Sequence, residues 1–420
     1  LDQLAARSLS FETAVSNMPV CCPYRATLLT GQYPQTHGVF MNDVSLSDKA
    51  VSIAEAFRRG GYSTGYIGKW HVDGRGRSSY IPPERRQGFE YWRVLECTHS
   101  YNKSDYYSEE NGDVLQRWEG YDAKAQADCA ADYITERCSQ APDQPFLLVL
   151  SWGPPHNPYG TAPEPFRDMY NGADLQLRPN VPASHEDIAR RDLAGYYAHI
   201  TALDTYIGSL LETVRSLGIE EDTIFIYTSD HGDMLGSHGL QRKQWPWDES
   251  ILVPYLLRYP RLFHDEERKI KMPVCSPDIM PTLLGLCGLD IPDTVEGIDH
   301  SPYLRGECGR TAESALIQCI TPFGEAHRGN GGREYRGVRT ERYTYVRDLN
   351  GPWLLFDNAS DPYQLNNLVG REEYRDIQKQ LEDELQKQLQ LRSDAFLRGE
   401  DYVKLWGYVT DETGTVPYTK

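Results

Sequence analysis

The sequence predicts an α/β protein: a large, mostly parallel sheet flanked by helices, followed by a smaller C-terminal unit of antiparallel strands and one helix. Three observations carry this reading. Helical patterns alternate with short apolar runs through the first three hundred residues. Two of those runs, Phe146 to Trp152 (FLLVLSW) and Thr223 to Thr228 (TIFIYT), read as strands buried on both faces, as in a parallel sheet. After about Gly306 the texture changes to alternating strands and a charged helix. At 420 residues the chain exceeds the usual size of a single core, so the division is expected at 1–308 and 309–420.

Each element has its own signal. Val51 to Arg59 reads as a short helix, and Tyr62 to Ile67, after Gly60-Gly61, as a strand. From Asp187 to Leu217, apolar residues recur at helical spacing: Leu193, Tyr197, Ile200, Leu203, Ile207, Leu210, Leu211 and Val214. Gly218 follows as a C-cap. This helix, followed by the run at Thr223, forms a crossover unit. Tyr335 to Val346 and Trp353 to Phe356 read as strands of a small antiparallel sheet. Glu372 to Arg398 is a charged amphipathic helix with Leu381, Leu385, Leu389 and Phe396 along one side.

Composition narrows the function classes. The hydrophobic fraction of 40% and aromatic fraction of 11% fit a globular protein with a sizeable core. A formal net charge of -18 argues against nucleic acid as a partner, because phosphate-backbone binding needs a basic footprint. No stretch approaches the roughly 20 apolar residues of a membrane span. The opening LDQLAARSLSF has no basic stretch leading into an apolar core, so no signal peptide is read there. Nine cysteines are an odd number and no CxxC occurs, which leaves pairing and redox compartment open.

In parallel sheets, chemistry gathers in loops beyond the carboxyl ends of the strands. Three such loops stand out: GKWHVDG near Tyr66, GPPHNP after Trp152, and SDHGD after Thr228. All three carry His with Lys, Asp or a rigid Pro-rich frame. The most specific segment lies earlier, in Cys21-Cys22-Pro23-Tyr24-Arg25-Ala26-Thr27-Leu28-Leu29-Thr30-Gly31. Arg25, four residues after Cys21, faces the same side if the segment is helical, where a guanidinium can orient the group at position 21.

That segment resembles the modification motif of the sulfatases, C-x-P-x-R followed by x-x-L-x-T-G. With the other landmarks, the chain resembles the formylglycine-dependent (type I) sulfatases of the alkaline-phosphatase-like superfamily. The resemblance implies that a dedicated formylglycine-generating or sulfatase-maturing enzyme oxidises Cys21 to 3-oxoalanine, the aldehyde formylglycine. Its hydrate supplies one hydroxyl to attack sulfur and a second to expel sulfate from the covalent intermediate. Gly68-Lys69-Trp70-His71 matches a second family pattern. It implies Lys69 on a sulfate oxygen and His71 on the formylglycine hydroxyl.

Pro155-His156-x-Pro158 falls where the family places a sulfate- or leaving-group-binding His. Ser229-Asp230-His231-Gly232 resembles the metal loop, with Asp230, His231 and the modified Cys21 as ligands of a divalent cation. An oxygen-rich site favours Ca²⁺, with Mg²⁺ as the alternative, acting as Lewis acid on a sulfate oxygen. Lys243, twelve residues on, matches the lysine that contacts sulfate and the leaving oxygen. Cys22 and His238 read as structural neighbours. Matches continue through Glu249-Ser250, Asp278 to Leu284, Arg339 to Tyr345 and Leu355 to Leu368.

The implied function is hydrolysis of an organic sulfate ester, in a sulfated small molecule or glycan, with periplasmic or secreted location by family analogy. A Tyr-, Trp- and His-rich insert, Tyr80 to Asn111, offers surfaces for sugar rings or for plain packing. One departure stands out. Family members carry an additional strand ending in an Asp pair that binds the same metal, and no segment here takes that register. Two other readings stay open: a phosphonate or phosphodiester hydrolase of the same superfamily, and an inactive carbohydrate-binding relative.

Overall fold

In the computed structural model, which describes residues 1–417, a single helical turn at Asp2–Ala5 precedes two short strands, β1 (Leu9–Phe11) and β2 (Ala14–Val15). Helix α1 (Cys21–Thr30) follows. Its Pro23 sits in the first turn, where a missing N–H costs no helical bond. Gly31, at φ 65°, closes it in the left-handed conformation. Helix α2 (Ile53–Arg59) opens with a capping box of Ser52 and Glu55 and leads through a glycine pair into β3 (Ser63–Lys69). Then come β4 (Tyr91–Leu95), β5 (Asp105–Ser108), β6 (Gln116–Arg117), α3 (Asp122–Gln140) and β7 (Phe146–Ser151). The long α4 (Glu186–Ser216) precedes β8 (Phe225–Thr228) and β9 (Tyr255–Arg258). Short β10 (Arg268–Ile270) and β11 (Val274–Cys275) and helix α5 (Ile279–Leu286) complete the larger part.

The strands form two main blocks, in the orders β6-β5-β4-β3-β7 and β10-β1-β9-β8. Pairing of β3 with β4 and β7 is parallel, as is β1 with β10. The chain leaves β8 through the long Ser229 to Pro254 connection and re-enters from the same end, so β8–β9 and β1–β9 are antiparallel. The sheet system is therefore mixed, with parallel pairing concentrated around β3. Beyond it lies a four-stranded antiparallel sheet of β12 (Ser314–Cys319), β13 (Tyr335–Thr340), β14 (Tyr343–Asp348) and β15 (Gly351–Asp357), covered by α6 (Arg375–Leu391). Leu381, Leu385 and Leu389 of α6 share a core with this sheet, and that core extends to Val15, Tyr33 and Ile251. A last short helix, α7 (Gly399–Leu405), is tied back by Tyr402, whose hydroxyl donates to Asp394, the partner of the fully buried Arg336.

Two expectations need correction. The helix expected to reach Arg398 ends at Leu391, and Ser393 and Phe396 take positive φ (50° and 47°), which breaks the helical path. The runs at β7 and β8 are strands, but every residue in them is only half-buried. The reason is a seam. Each of these strands has one strand neighbour among the described residues, and a cavity of about 1270 Å³ runs along both. Leu193, Ile200, Leu203 and Ile207 of α4 line it together with Leu28 of α1 and Leu283 of α5. No described helix is long and apolar enough to cross a membrane.

Candidate active site

The carboxyl ends of β3, β7 and β8 converge on the first turn of α1. Lys69 is the last residue of β3, Ser151 the last of β7, and Asp230 follows β8 by two residues. Gly68 allows β3 and β7 to close up here. Its φ is +103°, and an added Cβ would lie 2.1 Å from the Ser151 carbonyl oxygen.

Cys21 is the first residue of α1 and is buried, with 1% exposure. Its Sγ lies 3.3 Å from His231 Nε2. Burial pushes the thiol up, but Lys243, Lys69 and His231 outweigh that and hold it well below its ordinary value. The helix N-terminus acts in the same direction. Residue 21 is thus held where negative charge is welcome. Cys22 differs. Its thiol is raised by burial and accepts the Asp43 N–H at 3.2 Å, so it is a structural neighbour.

Arg25 is buried and ties the strand ends together. Nη1 donates to the Lys69 carbonyl at 2.8 Å and to Ser151 Oγ at 2.6 Å, while Nη2 pairs with Asp230 Oδ2 at 3.2 Å. Tyr66 and Ser151 hydroxyls also donate to the Lys69 carbonyl, each at 2.8 Å. This lattice fixes the backbone from which Lys69 projects. Burial alone would lower the Lys69 ammonium, but negative charge on Cys21 and then on Cys97 brings it above its usual range.

His156 and Lys243 complete the cluster. Lys243 Nζ is 2.7 Å from His156 Nε2, and His156 Nδ1 is 3.0 Å from the Asn157 carbonyl oxygen. A carbonyl only accepts and an ammonium only donates, so Nδ1 carries the proton and Nε2 accepts from Lys243. Burial, and then Lys243, lowers His156 and keeps it neutral. His231 shows the same logic, with Nδ1 on the Gly232 carbonyl at 2.8 Å and Nε2 left to face Cys21. Such a hydrogen bond is the usual way of aiming a histidine at a metal.

His71 is placed differently from the other predicted residues. It is buried at positive φ (60°), its Nε2 meets Asp43 Oδ1 at 3.1 Å, and its Nδ1 has no partner. Burial opposes its charge, but Cys22, Cys97 and Asp43 raise it well above the ordinary value. The Asp43–His71 pair, extended by Arg77 on Asp43 Oδ2 at 3.2 Å, had no signal in the sequence because its members lie on separate loops. Of the other motif residues, His238 meets Asn180 Nδ2 at 3.1 Å and Glu249 accepts from Asn180 and Arg178, away from the cluster.

Cys21, His156 and His231 place one ligand atom each within 4.8 Å of one another, and Asp230 Oδ1 lies 3.7 Å from His231 Nε2. Ca²⁺ takes about six to eight oxygen ligands. Here Asp230 is the carboxylate on hand, so the described residues form one side of such a cage and fall short of a whole one. The asymmetry is electrostatic: three cations, Arg25, Lys69 and Lys243, oppose one carboxylate once residue 21 is neutral. That arrangement suits a compact, multiply charged oxyanion.

Comparison with known proteins agrees with this geometry. A family-wide model of the sulfatases matches residues 1–289, and one for the C-terminal part of N-sulphoglucosamine sulphohydrolase matches residues 236–391. An ulvan-active sulfatase of Formosa agariphila is 43% identical over 421 residues, covering 100% of this chain and 81% of the relative. An endo-4-O-sulfatase of Bacteroides thetaiotaomicron is 31% identical over 430 residues, covering 92% of this chain and 83% of the relative. The solved structure of a YidJ protein from Bacteroides fragilis superposes with a TM-score of 0.84 at 29% identity, covering 96% of this chain and 91% of that one. The chain therefore belongs to the sulfatase family of the alkaline-phosphatase-like superfamily and is a sulfuric ester hydrolase.

Proposed function

We propose that this enzyme removes sulfate from a sulfated carbohydrate, using a formylglycine made from Cys21. The observation that carries this reading is the gathering of Lys69, Lys243, His156 and Arg25 around a buried residue at a helix N-terminus. Formylglycine, as its hydrate, supplies the nucleophile and a second hydroxyl for sulfate release. Lys69 and Lys243 hold the sulfate oxygens, and Lys243 is placed to pass from His156 to the leaving oxygen. His156, neutral with a bare Nε2, is placed to take a proton once Lys243 moves to sulfate. Arg25 holds the Lys69 carbonyl and Asp230, and acts through them. Sulfated polysaccharide is the substrate class, because the 43% identical relative is an ulvan-active sulfatase.

The ion is Ca²⁺ in this reading, with Asp230, His231 and residue 21 holding it. Its remaining oxygens come from the Asp pair on the strand that the family resemblance implies. The seam between β7 and β8 supports this placement, since it has the form of a missing strand and runs out to Asp230 at the site. A synthetic apolar strand ending in Asp-Asp, added in excess, is expected to bind by strand addition and raise Tm by several degrees. An unchanged Tm in the presence of Ca²⁺ would remove the strand from the proposal.

The function itself is tested by mass and by turnover. After co-expression with a formylglycine-generating enzyme, the tryptic peptide Ser8 to Arg25 is expected to lose about the mass of one water, as thiol becomes aldehyde. The same preparation is expected to release inorganic sulfate from ulvan, and EDTA to stop it. An unconverted peptide defeats the formylglycine claim. Conversion with hydrolysis of a phosphonate monoester, but of no sulfated saccharide, favours the phosphoester reading.

A further inference from the structure

The segment between β4 and β5 takes no part in the motifs, yet it grips the loop that carries His156. Three of its residues do so independently. The His99 ring lies parallel to that of His156, with centroids 4.7 Å apart and planes at 4°. Tyr101 is buried, with 1% exposure, and its hydroxyl donates to the Asn157 carbonyl at 3.1 Å. Asn102 Nδ2 donates to the Thr161 carbonyl at 2.9 Å. The fit of Tyr101 is close enough that a Cβ on Gly153 would come within 2.6 Å of its ring.

These contacts bear on the two features of His156 that matter chemically. The Asn157 carbonyl held by Tyr101 is the one that accepts from His156 Nδ1, so Tyr101 steadies the acceptor that selects the tautomer. His99 covers one face of the ring, while His231 approaches at 6.1 Å and 70°, so the ring cannot rotate away from Lys243 without breaking the stack. We infer that His99 and Tyr101 form a clamp that fixes the ring plane and tautomer of His156, with His99 as the positioning residue for that ring. Burial, with the Lys69 and Arg77 charges adding to it, lowers His99 to about 3, which keeps it neutral and lets it stack beside a cationic cluster without adding charge. The clamp lies on an insert, so it supplies a route by which this region shapes turnover without touching the sulfate.

The inference rests on the proposed role of His156 for its kinetic consequence, and a second readout stands apart from activity. ¹⁵N-edited NMR of the histidine rings in the Cys21 thiol form reports the tautomer directly. Wild type is expected to show His156 as the Nδ1–H tautomer. His99→Ala is expected to mix the two tautomers and, in the matured enzyme, to lower kcat on ulvan roughly tenfold with KM within about twofold. His99→Phe keeps a ring to stack and is expected to recover most of kcat and the single tautomer. Tyr101→Phe, which keeps the packing, is expected to mix the tautomers without loss of Tm. An unchanged His156 tautomer in both His99→Ala and Tyr101→Phe overturns the clamp whether or not ulvan is the substrate. Failure of His99→Phe to recover what His99→Ala loses overturns the positioning role of the ring plane. If wild type shows the clamped tautomer but releases no sulfate, the clamp stands and the substrate reading falls.

Discussion

Cys21→Ala is expected to abolish sulfate release, lowering kcat at least about 10⁴-fold, the scale on which loss of a covalent nucleophile is felt in other hydrolases. The argument runs from the helix. Residue 21 opens α1, and alanine is the best helix former, so the backbone has no reason to move. The side chain is small and the sulfur contacts polar groups, His231 foremost, so its removal costs little packing. What disappears is the only carbon that maturation can turn into an aldehyde at this point of the cluster. Lys69, Lys243 and His156 stay, and with them sulfate binding, so KM or a sulfate inhibition constant should move far less than kcat. Cys22→Ala is the matched comparison, since it removes a thiol one residue away that faces Asp43. Conversion of Cys21 should survive it. Turnover by Cys21→Ala within tenfold of wild type would end the covalent reading.

Much of this site was legible because its parts are local in sequence. Cys21 to Gly31 is one helix with its cap, so spacing alone placed Arg25 beside Cys21. Lys69 ends one strand and His156 and Asp230 follow two others, so the rule about carboxyl ends brings them together from the sequence. What escaped was carried by tertiary pairing. Ser151 and Tyr66 serve the site by donating to one carbonyl, and nothing about a Ser ending an apolar run announces that. Asp43 meets His71 across 28 residues, and His99 meets His156 through a ring face, a contact with no sequence period. The insert was open between sugar binding and packing. Much of it packs, as Tyr101 and Tyr107 are buried and Tyr106 stacks on Trp118 at 4.0 Å. The over-long C-terminal helix failed for a simple reason: its apolar spacing continues to Phe396, but Ser393 turns the chain.

Lys69→Ala and Lys243→Ala are each expected to lower kcat/KM by about 10² to 10³-fold, the cost of losing one preorganised donor from an oxyanion site. The two lysines do not act alike, and the difference is measurable. Lys69 stands at the end of β3 on a carbonyl held by three donors, so its charge is fixed in place before substrate arrives. Its loss should appear in both kcat and KM, because a rigid cation attracts sulfate in the ground state and in the transition state. Lys243 is instead engaged by His156 Nε2 at 2.7 Å and must leave it to reach sulfate. Its loss should fall mostly on kcat, since the contact forms as charge develops on the leaving oxygen. Neither lysine makes an ion pair with a carboxylate among the described residues, so in the matured enzyme, where residue 21 is no longer a thiol, neither substitution strands a buried anion, and Tm should hold or rise. Arginine should not replace Lys69 well, because a larger planar fork does not reproduce a compact ammonium at the end of β3. In the double variant the losses should be less than additive, as both lysines serve one tetrahedral anion. Full additivity would instead mean that they bind separate groups. Unchanged kinetics in either single variant would take that lysine out of the sulfate site.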